Sequence, residues 1–185
     1  MKTEKMLKRI LAIALVVATL IMTGCVSPVA GLKSYADGLD GYQFLYPNGW
    51  VPVKVADGPD IVFHDLIEPT ENVSVVFSSV PEGKSLAEFG SATEVGYKLS
   101  KNAIAPPDSG REAELVNIGT KTAKDKTYYL LEYEVSLPGG QHRHSLASVA
   151  VSRGKLFTLN VSTTEERWEK VGDRLEQVVK SFTVY

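Results

Sequence analysis

In "KTYYLLEYEVSL", residues 126–137, every odd position from Tyr129 onward is apolar: Tyr129, Leu131, Tyr133, Val135 and Leu137. The even positions include Glu132, Glu134 and Ser136. Side chains alternate across a strand, so this period of two demands a sheet with one buried face. The chain must then supply partner strands and a layer to cover that face. Both are close by in the sequence. Pro138-Gly139-Gly140 turns the strand, and "HRHSLASVAVS" and "KLFTLNVST" flank Arg153-Gly154, a hairpin tip. "TTEERWEKVGDRLEQVVKSF" places Trp168, Val171, Leu175, Val178 and Phe182 at the spacing of one helix face. Thr163 and Glu166 form a capping box at its start.

The first half is less regular. Tyr42, Phe44 and Tyr46 alternate, Pro47-Asn48-Gly49 is turn chemistry, and Val51 to Val55 is expected to return antiparallel. "DIVFHDLI" and "ENVSVVFSSV" read as two further strands, with Val73, Val75 and Phe77 on one face. "KSLAEFGSATEVGYKLSKN" reads as one helix with Ser85 at N-cap and Glu88 at N3. Its stripe is Leu86, Phe89, Ala92, Gly96 and Leu99, and two glycines weaken it. The expected order is four strands, helix, three strands, helix. Tight turns make the sheet mostly antiparallel, and two amphipathic helices must cover it, so the class is α+β.

The N-terminus is of another kind. Lys2, Lys5, Lys8 and Arg9 precede thirteen residues, Ile10 to Met22, without charge, Gly or Pro. A membrane span needs about 20 apolar residues, so the run suits a signal peptide. It ends in Met22-Thr23-Gly24-Cys25, which looks like a bacterial lipobox, with Met22 where Leu is usual. The alternative is a plain secretory signal with a spare cysteine. Charge, length, small residues and cysteine together favour lipidation of Cys25. The expected organisation is a lipoprotein signal peptide over 1–24, a lipidated tether over 25–41 and a folded domain over 42–185. Acyl chains on Cys25 would hold the domain stably at a membrane. Cys25 is the only cysteine, so the core must stand by burial alone. Removing residues 1–24 takes four basic groups and one acid from totals of 20 and 22, leaving 16 against 21, formally −5. That balance, without a basic stripe, is a poor match to nucleic acid.

Motifs for chemistry are scarce. There is no G-x-S-x-G elbow and no P-loop. Of three histidines, His64 is isolated in an apolar strand segment, where a structural role is the simpler reading. His142 and His144 are two apart in "GGQHRHS" and share a strand face. With a two-residue tip at Arg153-Gly154, His144 faces Thr163 and His142 falls level with Glu165. Two imidazoles and a carboxylate could then hold a divalent ion such as Zn²⁺ or Mn²⁺. The same residues also fit strand-end histidines, with Glu165 complementing the helix N-terminus. A three-residue loop would shift the register and separate them.

Six ordered blocks, "GYQFLYPNGW", "SLAEFGSATEVGYKL", "YYLLEYEV", "RGKLFTLNVST", "ERW" and "VVKSF", span residues 40–185. Together they resemble the PsbP family of photosystem II extrinsic proteins, and the lipobox points to its cyanobacterial lipoprotein branch. The resemblance implies an α-β-α sandwich around an antiparallel sheet. It implies the lumenal face of the thylakoid membrane, and photosystem II subunits or assembly intermediates as partners. It also implies a non-enzymatic protein with no required cofactor. Plant members bind divalent metal through a histidine after a Gly-Gly turn and an acid near the Arg-Trp pair, which here are His142 and Glu165. Plant members carry a longer N-terminal arm and no lipid, and help retain calcium and chloride at the oxygen-evolving centre. The short tether from Cys25 to Tyr42 instead implies an auxiliary role in assembly or repair. The rival expectations are a lipoprotein that binds a metal or small ligand, and a hydrolase using His64.

Overall fold

A computed structural model describes residues 30–185. Cys25, the signal segment and the first part of the tether lie outside the described residues. Gly31–Tyr185 forms one compact unit that contains both hydrophobic cores.

Within the described residues, ten strands form two antiparallel sheets. The large one has seven strands in the order β3 (Val51–Val53), β4 (Ile61–His64), β5 (Asn72–Ser79), β9 (Lys155–Thr164), β8 (His142–Ser152), β7 (Lys126–Ser136), β6 (Glu112–Ala123). The small one is β1 (Leu32–Asp37), β2 (Tyr42–Pro47) and β10 (Thr183–Val184). Two of the described helices are long enough to cover the sheet: α1 (Ala92–Leu99), prolonged by a π-helical turn Ser100–Ile104, and α2 (Glu165–Ser181).

The alternation of β7 sorts its side chains between two cores. Tyr129, Leu131, Tyr133 and Val135 join Ala147 and Val149 under α1 and the turn before it. Tyr128 joins Val73, Val75, Phe157, Leu159 and Val161 on the opposite face. There α2 contributes Leu175 and Val178, and the small sheet contributes Tyr42, Phe44 and Val184. The α-β-α sandwich is thus present, with the small sheet sharing one outer layer with α2.

The hairpin register agrees with expectation. Arg153 and Gly154 form a two-residue tip with φ of 49° and 66°, the left-handed backbone of a tight hairpin turn. It pairs His144 with Thr163, Leu146 with Val161 and Ala150 with Phe157.

Five expectations need correction. Residues 32–37, read as tether, are β1, and Tyr35 packs on Phe44 and Phe63. The folded domain therefore starts ahead of Tyr42. Val51–Val53 pairs with β4 and not with β2, because Tyr42–Pro47 is taken between β1 and β10. The first helix is broken in two. Ser85 and Glu88 cap only a 3-10 turn, Leu86–Phe89. Gly90 then leaves helical backbone at φ 125°, and Ser91 with Glu94 forms a second capping box that opens α1. At the last helix the N-cap is Thr164, without a side-chain cap bond, because the Thr163 hydroxyl is engaged by Glu71. The edge strand β6 has no counterpart in the expected order. A bulge between Leu115 and Asn117 breaks its period of two and turns Val116 and Ile118 outward.

Two tyrosines fix α1 to the sheet despite its glycine. The Tyr133 hydroxyl donates to the Gly96 carbonyl at 2.9 Å, and Tyr129 to that of Gly90 at 3.0 Å. A Cβ at Gly96 would lie 2.7 Å from Leu115 Cδ2, so a larger residue there would have to push the Leu115 side chain aside.

Candidate functional site

β8 carries His144 on the α2 side of the large sheet, where strand β9 passes directly into α2. The first turn of that helix lays Trp168 flat on the imidazole, with centroids 3.8 Å apart and planes 8° from parallel. His144 is only 4% exposed. Both ring nitrogens meet carboxylates: Nε2 lies 2.7 Å from Glu132 Oε1, and Nδ1 lies 3.1 Å from Glu165 Oε2. Glu132 also accepts from Asn117 Nδ2 at 3.0 Å. The result is a polar chain across three strands and one helix end. Glu165, as the first residue of α2, also complements the helix dipole.

Beside it lies a second polar cluster. Glu71, 2% exposed, accepts from Thr163 Oγ1 at 2.7 Å and from both sides of the Arg167 guanidinium. A buried carboxylate needs such partners, since burial without them is costly. Together the two clusters tie β7, β8, β9 and the loop before β5 to the start of α2.

The structure brings His144 and Glu165 together and leaves His142 aside. His142 is exposed at the strand end, with Nδ1 3.2 Å from Ser136 Oγ. A metal ion needs ligand atoms converging on one point. His142, His144 and Glu165 do not converge, because His144 is held edge-on between two carboxylates. Among the described residues, one group of three acids converges that closely: Asp37, Asp40 and Asp60. Each of these has a protein partner: Asp37 Oδ1 caps the Leu39 and Asp40 amides, Lys155 pairs with Asp40, and Tyr42 donates to Asp60. Burial and that bond together push the Tyr42 hydroxyl well above its ordinary pKa. His64, the base a hydrolase would need, has Nδ1 2.8 Å from the Asp65 carbonyl.

Sequence reasoning missed Glu132 and Glu71 as site residues. Glu132 was legible in principle, since the even face of β7 is the face of His144. Glu71 stands two residues ahead of the apolar face of β5, and nothing local marks it as buried.

The PsbP family model matches residues 30–184. The chain belongs to the PsbP family. Within that family it is similar to CyanoP of Thermosynechococcus vestitus, at 54% identity over 97% of this chain and 100% of that protein. It is 44% identical to CyanoP of Synechocystis sp., over 97% and 100% of the two chains. The solution structure of cyanobacterial PsbP from Synechocystis sp. superposes with a TM-score of 0.72 at 45% identity, covering 88% of this chain and 96% of that one. The match starts at residue 30, which places β1 inside the PsbP domain, as the hairpin with β2 requires.

Proposed function

We propose that this chain is a lipid-anchored, non-enzymatic accessory protein of photosystem II on the lumenal side of the thylakoid membrane, acting in assembly, repair or stabilisation. The observation that carries this reading is the likeness to cyanobacterial PsbP proteins over nearly the full length of both partners. The lipobox at Cys25 supports the anchor. No described helix is long and apolar enough to cross a membrane, so attachment in this reading falls to the lipid. Anchoring raises the effective concentration of the domain beside membrane-embedded partners, so a weak protein contact suffices.

The site geometry supports a scaffold role. His144, Trp168, Glu132 and Glu165 are engaged with one another, and Glu71 with Arg167 and Thr163. This reading requires no cofactor. Zn²⁺ or Mn²⁺ at His142 and Glu165 would need His142 to leave Ser136 and Glu165 to leave His144.

The test is immuno-isolation of the protein from gently solubilised membranes. Photosystem II subunits are expected with it, at less than one copy of this chain per mature centre. The Cys25→Ala variant is expected to recover far fewer. Mass spectrometry of the mature N-terminus checks the lipid. Recovery of no photosystem II subunit would overturn this reading and leave the ligand-binding lipoprotein.

A further inference from the structure

The α1 face of the large sheet is only partly covered. The helix packs on β6 and β7, and the turn after it on β6. Beside it, over β5, β9 and β8, lies a cleft of about 530 Å³. That volume falls in the roughly 300–1,000 Å³ range of small-molecule sites.

Leu99, Ile104, Val135, Leu137 and Val76 give the cleft its apolar lining. The rest of the lining is polar and cationic. Arg143 and Arg111 both belong to it. Among the described residues neither forms an ion pair. Arg143 is held in place, with Nε donating to Ser162 Oγ at 3.0 Å and its Nη2 to the Thr70 carbonyl. Ser145 Oγ also donates to Ser162 Oγ, at 3.0 Å. Ser162 thus accepts twice and keeps its own proton to donate. The Asn160 side-chain oxygen, shut from solvent, has no partner. Burial pushes the Arg143 guanidinium down from its ordinary value, Glu68 opposes this, and the charge of Arg111 adds to it. Two guanidiniums that disfavour each other, beside an apolar wall, are relieved by an oxyanion.

We propose that this cleft binds a single-chain amphiphile with an oxyanion head, such as a fatty carboxylate. The head lies at Arg143 and Arg111, and the hydrocarbon chain runs along the Leu99–Leu137 wall. This site is on the opposite side of the sheet from His144 and is independent of the photosystem reading.

The test is calorimetric titration of dodecanoate into residues 25–185 carrying Cys25→Ser. One saturable site is expected. Dodecanol and inorganic phosphate are each expected to bind at least about tenfold more weakly, since each lacks one half of the recognition. Arg111→Ala, at an exposed position, is expected to weaken dodecanoate about tenfold with an unchanged thermal midpoint. Val76→Asp, also exposed, puts a like charge in the apolar lining on the β5 side of the cleft and is expected to abolish binding without unfolding the domain. No saturable binding, equal affinity for dodecanol or phosphate, or full affinity in both variants would overturn the proposal.

Discussion

The imidazole of His144 and the indole of Trp168 stack at 3.8 Å, one from strand β8 and one from the first turn of α2. The contact joins the large sheet to the helix at the point where the chain leaves β9. Trp168→Ala removes it and opens the edge of the core. A loss of about 3 kcal/mol is expected, at the low end for large aromatic deletions because Trp168 is half-buried. Urea denaturation followed by circular dichroism measures it. An unchanged midpoint would mean that the stack does not hold the helix.

The two neighbouring histidines are expected to differ sharply. His144→Ala leaves Glu132 and Glu165 without their shared partner and empties a buried site, at a cost of about 2–3 kcal/mol. His142→Ala removes an exposed ring and is expected to stay within about 0.5 kcal/mol of wild type. Thermal unfolding of both variants side by side checks the contrast.

Glu71→Ala is expected to cost about 1–3 kcal/mol, since it leaves the buried Thr163 hydroxyl without its acceptor while the part-exposed Arg167 turns to water. Glu71→Gln keeps the volume and one acceptor and is expected to lose less. The order of the two midpoints in guanidinium chloride is the measurement.

Acid is expected to loosen the turn ahead of α1. The Lys84 ammonium and the Ser85 amide hold the Glu88 carboxyl at about 2, against an ordinary 4.5. The folded state favours the charged form, so this stabilisation is complete above the ordinary value and is lost as pH falls towards 2. The Ser91 amide pulls Glu94 in the same direction. Thermal midpoints between pH 5 and 2 are expected to fall less steeply in Glu88→Gln than in wild type.

Much of the fold is legible in the amino-acid sequence. The period of β7, the Arg153-Gly154 tip and the stripe of α2 are local patterns, and local geometry enforces them. They are enough to align His144 with Thr163 and bring Glu165 near. What escapes is set by distant partners. Leu32–Asp37 carries its apolar residues, Leu32, Tyr35 and Ala36, without a period of two, and it is a strand because Tyr42–Pro47 offers it an edge. The pattern of β6 fails at one bulged residue. Glu71 is buried because Arg167, 96 residues later, comes to meet it. The helix stripe also counts Trp168 as core, whereas its ring is half-buried and covers His144.

The last strand has a consequence for how the molecule is completed. Thr183 and Val184 pair with Gln43 and Tyr42, the Val184 amide donates to the Tyr128 hydroxyl, and the Tyr185 amide donates to the Gly41 carbonyl. Residues 183–185 therefore close onto the β1–β2 hairpin. Truncation at Phe182 would thus unpin both the hairpin and the Tyr128 hydroxyl while leaving every described helix and the whole large sheet intact.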